Sequence, residues 1–65
     1  MHEVLRNWTM LPTRKEAVAR AKEQMAENLA IRSVRCFVLM ADDSVVLADI
    51  GPRGGFCQLH RFGHA

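Results

Sequence analysis

The chain has 65 residues, 49% hydrophobic and 25% charged, with a formal net charge of +2. That composition excludes a wholly disordered chain, and the length leaves room for one small domain, 1–65, whose single core supplies only about 3–5 kcal/mol. No apolar run approaches the ~20 residues that span a bilayer, and residues 1–6 lack the basic start and long apolar stretch of a secretory signal, so a cytoplasmic protein without membrane contact is expected.

Residues 3–10 fit a strand with one apolar stripe. Val4, Arg6, Trp8 and Met10 alternate with Leu5, Asn7 and Thr9. Val4, Trp8 and Leu11 also satisfy a short helical spacing, but Thr and Trp favour a strand, and Pro12 keeps Leu11 out of the helical region. The helix that follows has a clear start. Thr13 and Glu16 form a capping-box pair, in which the hydroxyl accepts from the N3 amide and the carboxylate reaches back to the cap amide. Residues 14–30 contain neither Gly nor Pro, and Val18, Ala21, Met25 and Leu29 make a narrow apolar stripe suited to a sheet. Glu16 and Arg20 stand at the favourable i, i+4 spacing.

Two apolar runs come next, Cys36–Met40 and Val45–Ala48, separated by Ala41-Asp42-Asp43-Ser44. They read as a β-hairpin. A hairpin with one buried face alternates apolar and polar residues, whereas continuous apolar runs imply cover on both faces. With an Asp42-Asp43 two-residue turn, Cys36, Val38, Met40, Val45 and Leu47 share one face. Phe37, Leu39, Val46, Ala48 and Ile50 share the other. Neither turn residue is the glycine that a primed turn prefers, and a longer loop would exchange side chains between the faces. One helix covers one face only, so the second set, Phe37, Leu39, Val46, Ala48 and Ile50, is the expected protein interface.

Gly51-Pro52-Arg53-Gly54-Gly55 is a loop by composition. Residues 56–62 form a further strand, with 63–65, like 1–2, expected to fray. The fold expected is a small α+β domain, β-α-β-β(-β), with one helix packed on an antiparallel sheet.

The chemistry-bearing residues are few. Cys57, His60 and His64, with Cys36 upstream, have the donor types of a zinc site. Paired ligand clusters are missing, however, and positions 57 and 60 of a regular strand point to opposite faces. No cofactor is expected, and the two cysteines are too few for a disulfide framework. Residues 1–50 hold seven Lys/Arg and seven Asp/Glu, so Arg53 and Arg61 supply the whole positive excess. With Phe56 and Phe62 they give the arginine–aromatic mix of single-stranded nucleic-acid binders, assisted by Arg14 and Lys15 at the helix start. Asp42-Asp43-Ser44 lacks the later oxygen ligands of a calcium loop and reads as a turn. No nucleophile–base order points to catalysis, and no small-molecule substrate is implied. The leading expectation is therefore a non-enzymatic interaction or regulatory module that homodimerises or binds another protein through an apolar sheet face or edge. Nucleic-acid binding comes second and a zinc-stapled module third.

Overall fold

Thr13 starts the helix as its cap chemistry requires. In the computed structural model, which describes residues 11–64, the Glu16 amide donates to Thr13 Oγ1 at 3.4 Å and the Thr13 amide donates to Glu16 Oε1 at 3.1 Å. Helix α1 spans Arg14–Glu27 and buries Ala17, Ala21 and Met25. It stops earlier than the helix formers of 14–30 suggest. Asn28 takes an extended conformation (φ −136°, ψ 101°), and its Oδ1 accepts the Ala30 amide at 3.0 Å. Such a local side-chain bond competes with the helical ladder. Leu29, counted in the apolar stripe from sequence, consequently lies outside the helix and is 85% exposed. The predicted strand at 3–10 falls outside the described residues.

Three antiparallel strands follow in the order β1-β2-β3: β1 Val34–Leu39, β2 Ser44–Ile50 and β3 Phe56–His64. The last strand runs on through Gly63 and His64, which the sequence assigned to a frayed end. The Leu39 amide donates to the Pro12 carbonyl at 2.8 Å, tying the chain just ahead of α1 to the outer edge of β1.

Both hairpins turn on three residues. In the first, Met40 and Ser44 close around Ala41-Asp42-Asp43, with the Met40 amide donating to the Ser44 carbonyl at 2.8 Å and the Asp43 amide to the Met40 carbonyl at 2.9 Å. Asp43 sits at φ 66°, the left-handed position of a three-residue loop. Asp42 Oδ1 braces the turn by accepting the Ser44 amide at 3.0 Å and the Ser44 hydroxyl. In the second, Gly51 and Gly55 close around Pro52-Arg53-Gly54, with Gly54 at φ 84°. Proline there supplies a preset φ and glycine the left-handed residue.

The third turn residue shifts the first hairpin by one step from the two-residue reading. Leu39 pairs with Val45, Val38 with Val46, Phe37 with Leu47, Cys36 with Ala48 and Val34 with Ile50. A one-step shift moves every β2 side chain to the other face relative to β1. The helix side therefore holds Val34, Cys36, Val38, Met40, Val46, Ala48 and Ile50. The opposite side holds Phe37, Leu39, Val45 and Leu47. Val38, Val46, Ala48 and Ile50 pack with Ala17, Ala21 and Met25 into one core, flanked by Val18, Ile31, Val34, Cys36, Met40 and Phe56. Alanines on both helix and sheet let the two layers approach closely. Each large side chain fully buried here contributes about 1.5–3 kcal/mol over its exposed state.

Candidate interaction surfaces

The five residues expected to share an uncovered face are split by the observed register. Val46, Ala48 and Ile50 are buried beneath α1 at 0–1% exposure. Phe37 and Leu39 lie on the far side, where Val45 and Leu47 join them. Two aromatic residues from β3 complete that side. The Phe62 ring stands 5.7 Å from the Phe37 ring and 4.5 Å from the His60 ring, the latter in an edge-on arrangement. Phe37 is 41% and Phe62 55% exposed, with Leu59 nearby in sequence at 44%. Phe62 was grouped with the arginines by sequence, and Leu47 with the helix-side residues. The side to which each belongs follows only from the turn length and from the irregularities of β3.

Those irregularities are two register shifts, one between Val45 and Val46 and one between Leu47 and Ala48. Each lets one β2 step face an extra β3 residue, as a β-bulge does. The shift between Leu47 and Ala48 reverses the facing expected from simple alternation after Gln58, and the shift between Val45 and Val46 restores it by Gly63. Cys57 pairs with Asp49 and His60 with Leu47, so both lie on the far side. Gln58 opposes Ala48, Arg61 opposes Val46 and His64 opposes Ser44, all on the helix side. The bulges also blunt the free edge of β3, because an irregular, charged edge pairs poorly with another strand.

The candidate metal ligands do not converge. Cys36 and His64 are on the helix side, Cys57 and His60 on the far side, and no group of three His, Cys, Asp or Glu that could hold a metal ion occurs among the described residues. The same separation leaves Cys36 and Cys57 as free thiols, Cys36 half-buried and Cys57 exposed. Burial pushes the Cys36 thiol above its ordinary pKa, as desolvation of a thiolate requires.

Two of the four residues assigned to nucleic acid come to the helix side, and a third stands in a hairpin loop. Arg53 is at the tip of the second hairpin, and Phe56 and Arg61 lie on the helix side of β3. Phe62 is the exception. The Arg14 guanidinium lies over the Phe56 ring, 4.4 Å from its centroid, so that ring already has a cationic partner. Arg61 Nη2 bonds Asp42 Oδ2 at 3.1 Å, the only ion pair among the described residues. Hydrogen bonds from the Ser44 hydroxyl and amide hold the Asp42 carboxyl below its usual pKa, with a smaller pull from Arg61. No helix among the described residues is long and apolar enough to cross a membrane. Compared with known protein families, curated proteins and solved structures, the chain matches none.

Proposed function

We propose that this protein is a non-enzymatic interaction module that self-associates, or binds another protein, through the far side of its sheet. The observation that carries the reading is the Phe37–Phe62 ring pair, which keeps two large aromatic surfaces 41% and 55% exposed beside Leu47 on the side away from the helix. Aromatic residues concentrated on a surface mark association sites, because they bury much area for little side-chain entropy. The face rather than the β3 edge is the contact surface, since two bulges and Arg61 blunt that edge. The interface set thus becomes Phe37, Leu39, Leu47 and Phe62, with Val46, Ala48 and Ile50 assigned to the core.

Light scattering coupled to size exclusion tests this across micromolar concentrations. A dimer is expected, and Phe62→Asp should yield a folded monomer because more than half of that side chain is exposed in the single chain. If the protein does not self-associate, a partner recovered with the native protein should be lost with Phe62→Asp. A native protein that is monomeric throughout and recovers no partner sensitive to this substitution overturns the reading.

A further inference from the structure

The helix-side surface between α1 and β3 collects cations that the linear sequence disguises. At about 100° per residue, Glu16, Glu23 and Glu27 fall within about 40° of one another, on the flank away from the buried Ala17, Ala21 and Met25. Arg14, Val18 and Lys22 advance by only about 40° at each step and line the opposite flank. Contacts place that basic flank against the second hairpin and β3. A Cβ on Gly54 would meet Val18 Cγ1 at 3.3 Å and Lys22 Cδ at 3.6 Å, while Arg14 covers Phe56. Arg20 is on the other flank, beside Val34 and Cys36 of β1. Arg53 directly precedes Gly54 at the tip of that hairpin, and Lys15 continues the basic flank at the helix start.

Arg14, Lys15, Lys22 and Arg53 are all exposed, and none forms an ion pair among the described residues. Arg61 on the same side is spent on Asp42. Asp43 lines a recess with Arg14 and Lys15, while Glu16 and Glu23, next to Lys15 and Lys22 in sequence, turn toward the acidic flank. Four exposed cations spread over an open surface suit an extended polyanion better than a small enclosed ligand. Two of the four are guanidinium groups, whose fork matches phosphate oxygens. Phe56 is already covered by Arg14, and Phe62 faces the other way, so this side offers no ready platform for base stacking.

We propose that this basic surface binds the phosphate backbone of nucleic acid, without reading its sequence, independently of association through the far face. Contact by four cations fixes the salt dependence: log K falls with log salt at a slope of about −2.8 for single strands and about −3.6 for duplex. Affinity should drop about 50-fold for single strands, and about 150-fold for duplex, between 50 and 200 mM salt. Fluorescence anisotropy with mixed-sequence oligonucleotides of about 20 nucleotides, single-stranded and duplex, reads these slopes directly. Lys22→Ala and Arg53→Ala should each weaken single-strand binding and reduce the slope by about 0.7. Arg20→Ala and Arg35→Ala, which lie off that surface, should change neither, and Phe62→Asp should still bind. Circular dichroism confirms that each variant is folded. The proposal is overturned if neither probe binds at about 20 mM salt, if Arg20→Ala matters as much as Lys22→Ala, or if labelled poly-glutamate binds as tightly, which would assign the surface to an acidic protein segment.

Discussion

Ile50 and Leu47 make the sharpest test of the register, because each can lose one methylene from opposite sides of the same strand. With the three-residue turn Ile50 pairs with Val34 and is 0% exposed in the helix core. With a two-residue turn it would stand beside Phe37 and Leu39, and Leu47 would take the place under the helix. Removing one buried methylene costs about 0.8 kcal/mol in transfer, and the cavity left behind brings Ile→Val to about 0.5–1.5 kcal/mol. A domain of this size yields about 4–8 °C of melting temperature per kcal/mol, so Ile50→Val should melt roughly 2–12 °C lower. Leu47 is half-buried, so Leu47→Val should cost less than about 0.5 kcal/mol, and valine's strand preference offsets part of that. Alanine at position 50 is a poorer probe. Its cost of about 2–5 kcal/mol rivals the whole stability of a core this thin. Urea titration followed by far-UV circular dichroism at low protein concentration gives both values, with an unchanged slope confirming two-state behaviour. Repeating it at high concentration adds a second reading: the Ile50→Val penalty should stay constant, while the Leu47→Val penalty grows as association buries that side. A Leu47→Val penalty equal to or above that of Ile50→Val at low concentration would refute the register and the faces assigned from it.

Thr13→Ala should destabilise the protein by about 1 kcal/mol through loss of the helix cap, measurable in the same titration, with Thr13→Ser restoring most of it. Gly54→Ala combines a positive φ with a Cβ 3.3 Å from Val18 Cγ1 and should cost at least about 1–2 kcal/mol, whereas Gly55→Ala, with nothing within 4 Å, should cost less. The Glu16 carboxyl is held below its usual pKa by the Thr13 amide and hydroxyl, and the Asp42 carboxyl by Ser44. Both are depressed in the folded state, so their stabilisation is present above the unfolded carboxylate pKa of about 4 and fades as pH falls through the lower folded values. A melting curve against pH should therefore decline on the acid side, and the double variant Glu16→Gln, Asp42→Asn should flatten that decline. Toward a thiol reagent at neutral pH, exposed Cys57 should react quickly and Cys36 slowly, because burial lowers its thiolate fraction.

The helix cap, the hairpin and the antiparallel α+β arrangement were legible from sequence because each rests on local chemistry. Thr13 and Glu16 specify the helix start by themselves, and Gly51-Pro52-Arg53-Gly54-Gly55 allows nothing but a turn. Register was not legible, and for a physical reason. When one face is polar, a one-step slip exposes the apolar set and is rejected. Here residues 36–40 and 45–48 are apolar on every position, so either register buries an acceptable face. The decision passed to the turn, where Asp42 bonding back to Ser44 and Asp43 tolerating a positive φ favour the three-residue loop. That single residue determines whether Val46, Ala48 and Ile50 are surface or core.

Association and charge meet a similar limit in β3. Its bulges send Cys57 and His60 to one side and Gln58 and Arg61 to the other, contrary to simple alternation, so neither the zinc set nor the arginine–aromatic set survives as written. The four basic and three acidic residues of α1 nearly balance when summed along the helix, yet most of them segregate when wound at 3.6 residues per turn, and that separation was already available in the helix pattern. The result is a sheet with two unlike sides: aromatic residues on the one without the helix, and a rim of cations where the helix meets β3. If both sides are used, Phe62→Asp should abolish association and leave nucleic-acid binding intact, and Lys22→Ala should weaken nucleic-acid binding and leave association intact. A variant of either kind that removed both activities would mean that the two sides act as one surface, with assembly required to align the cations.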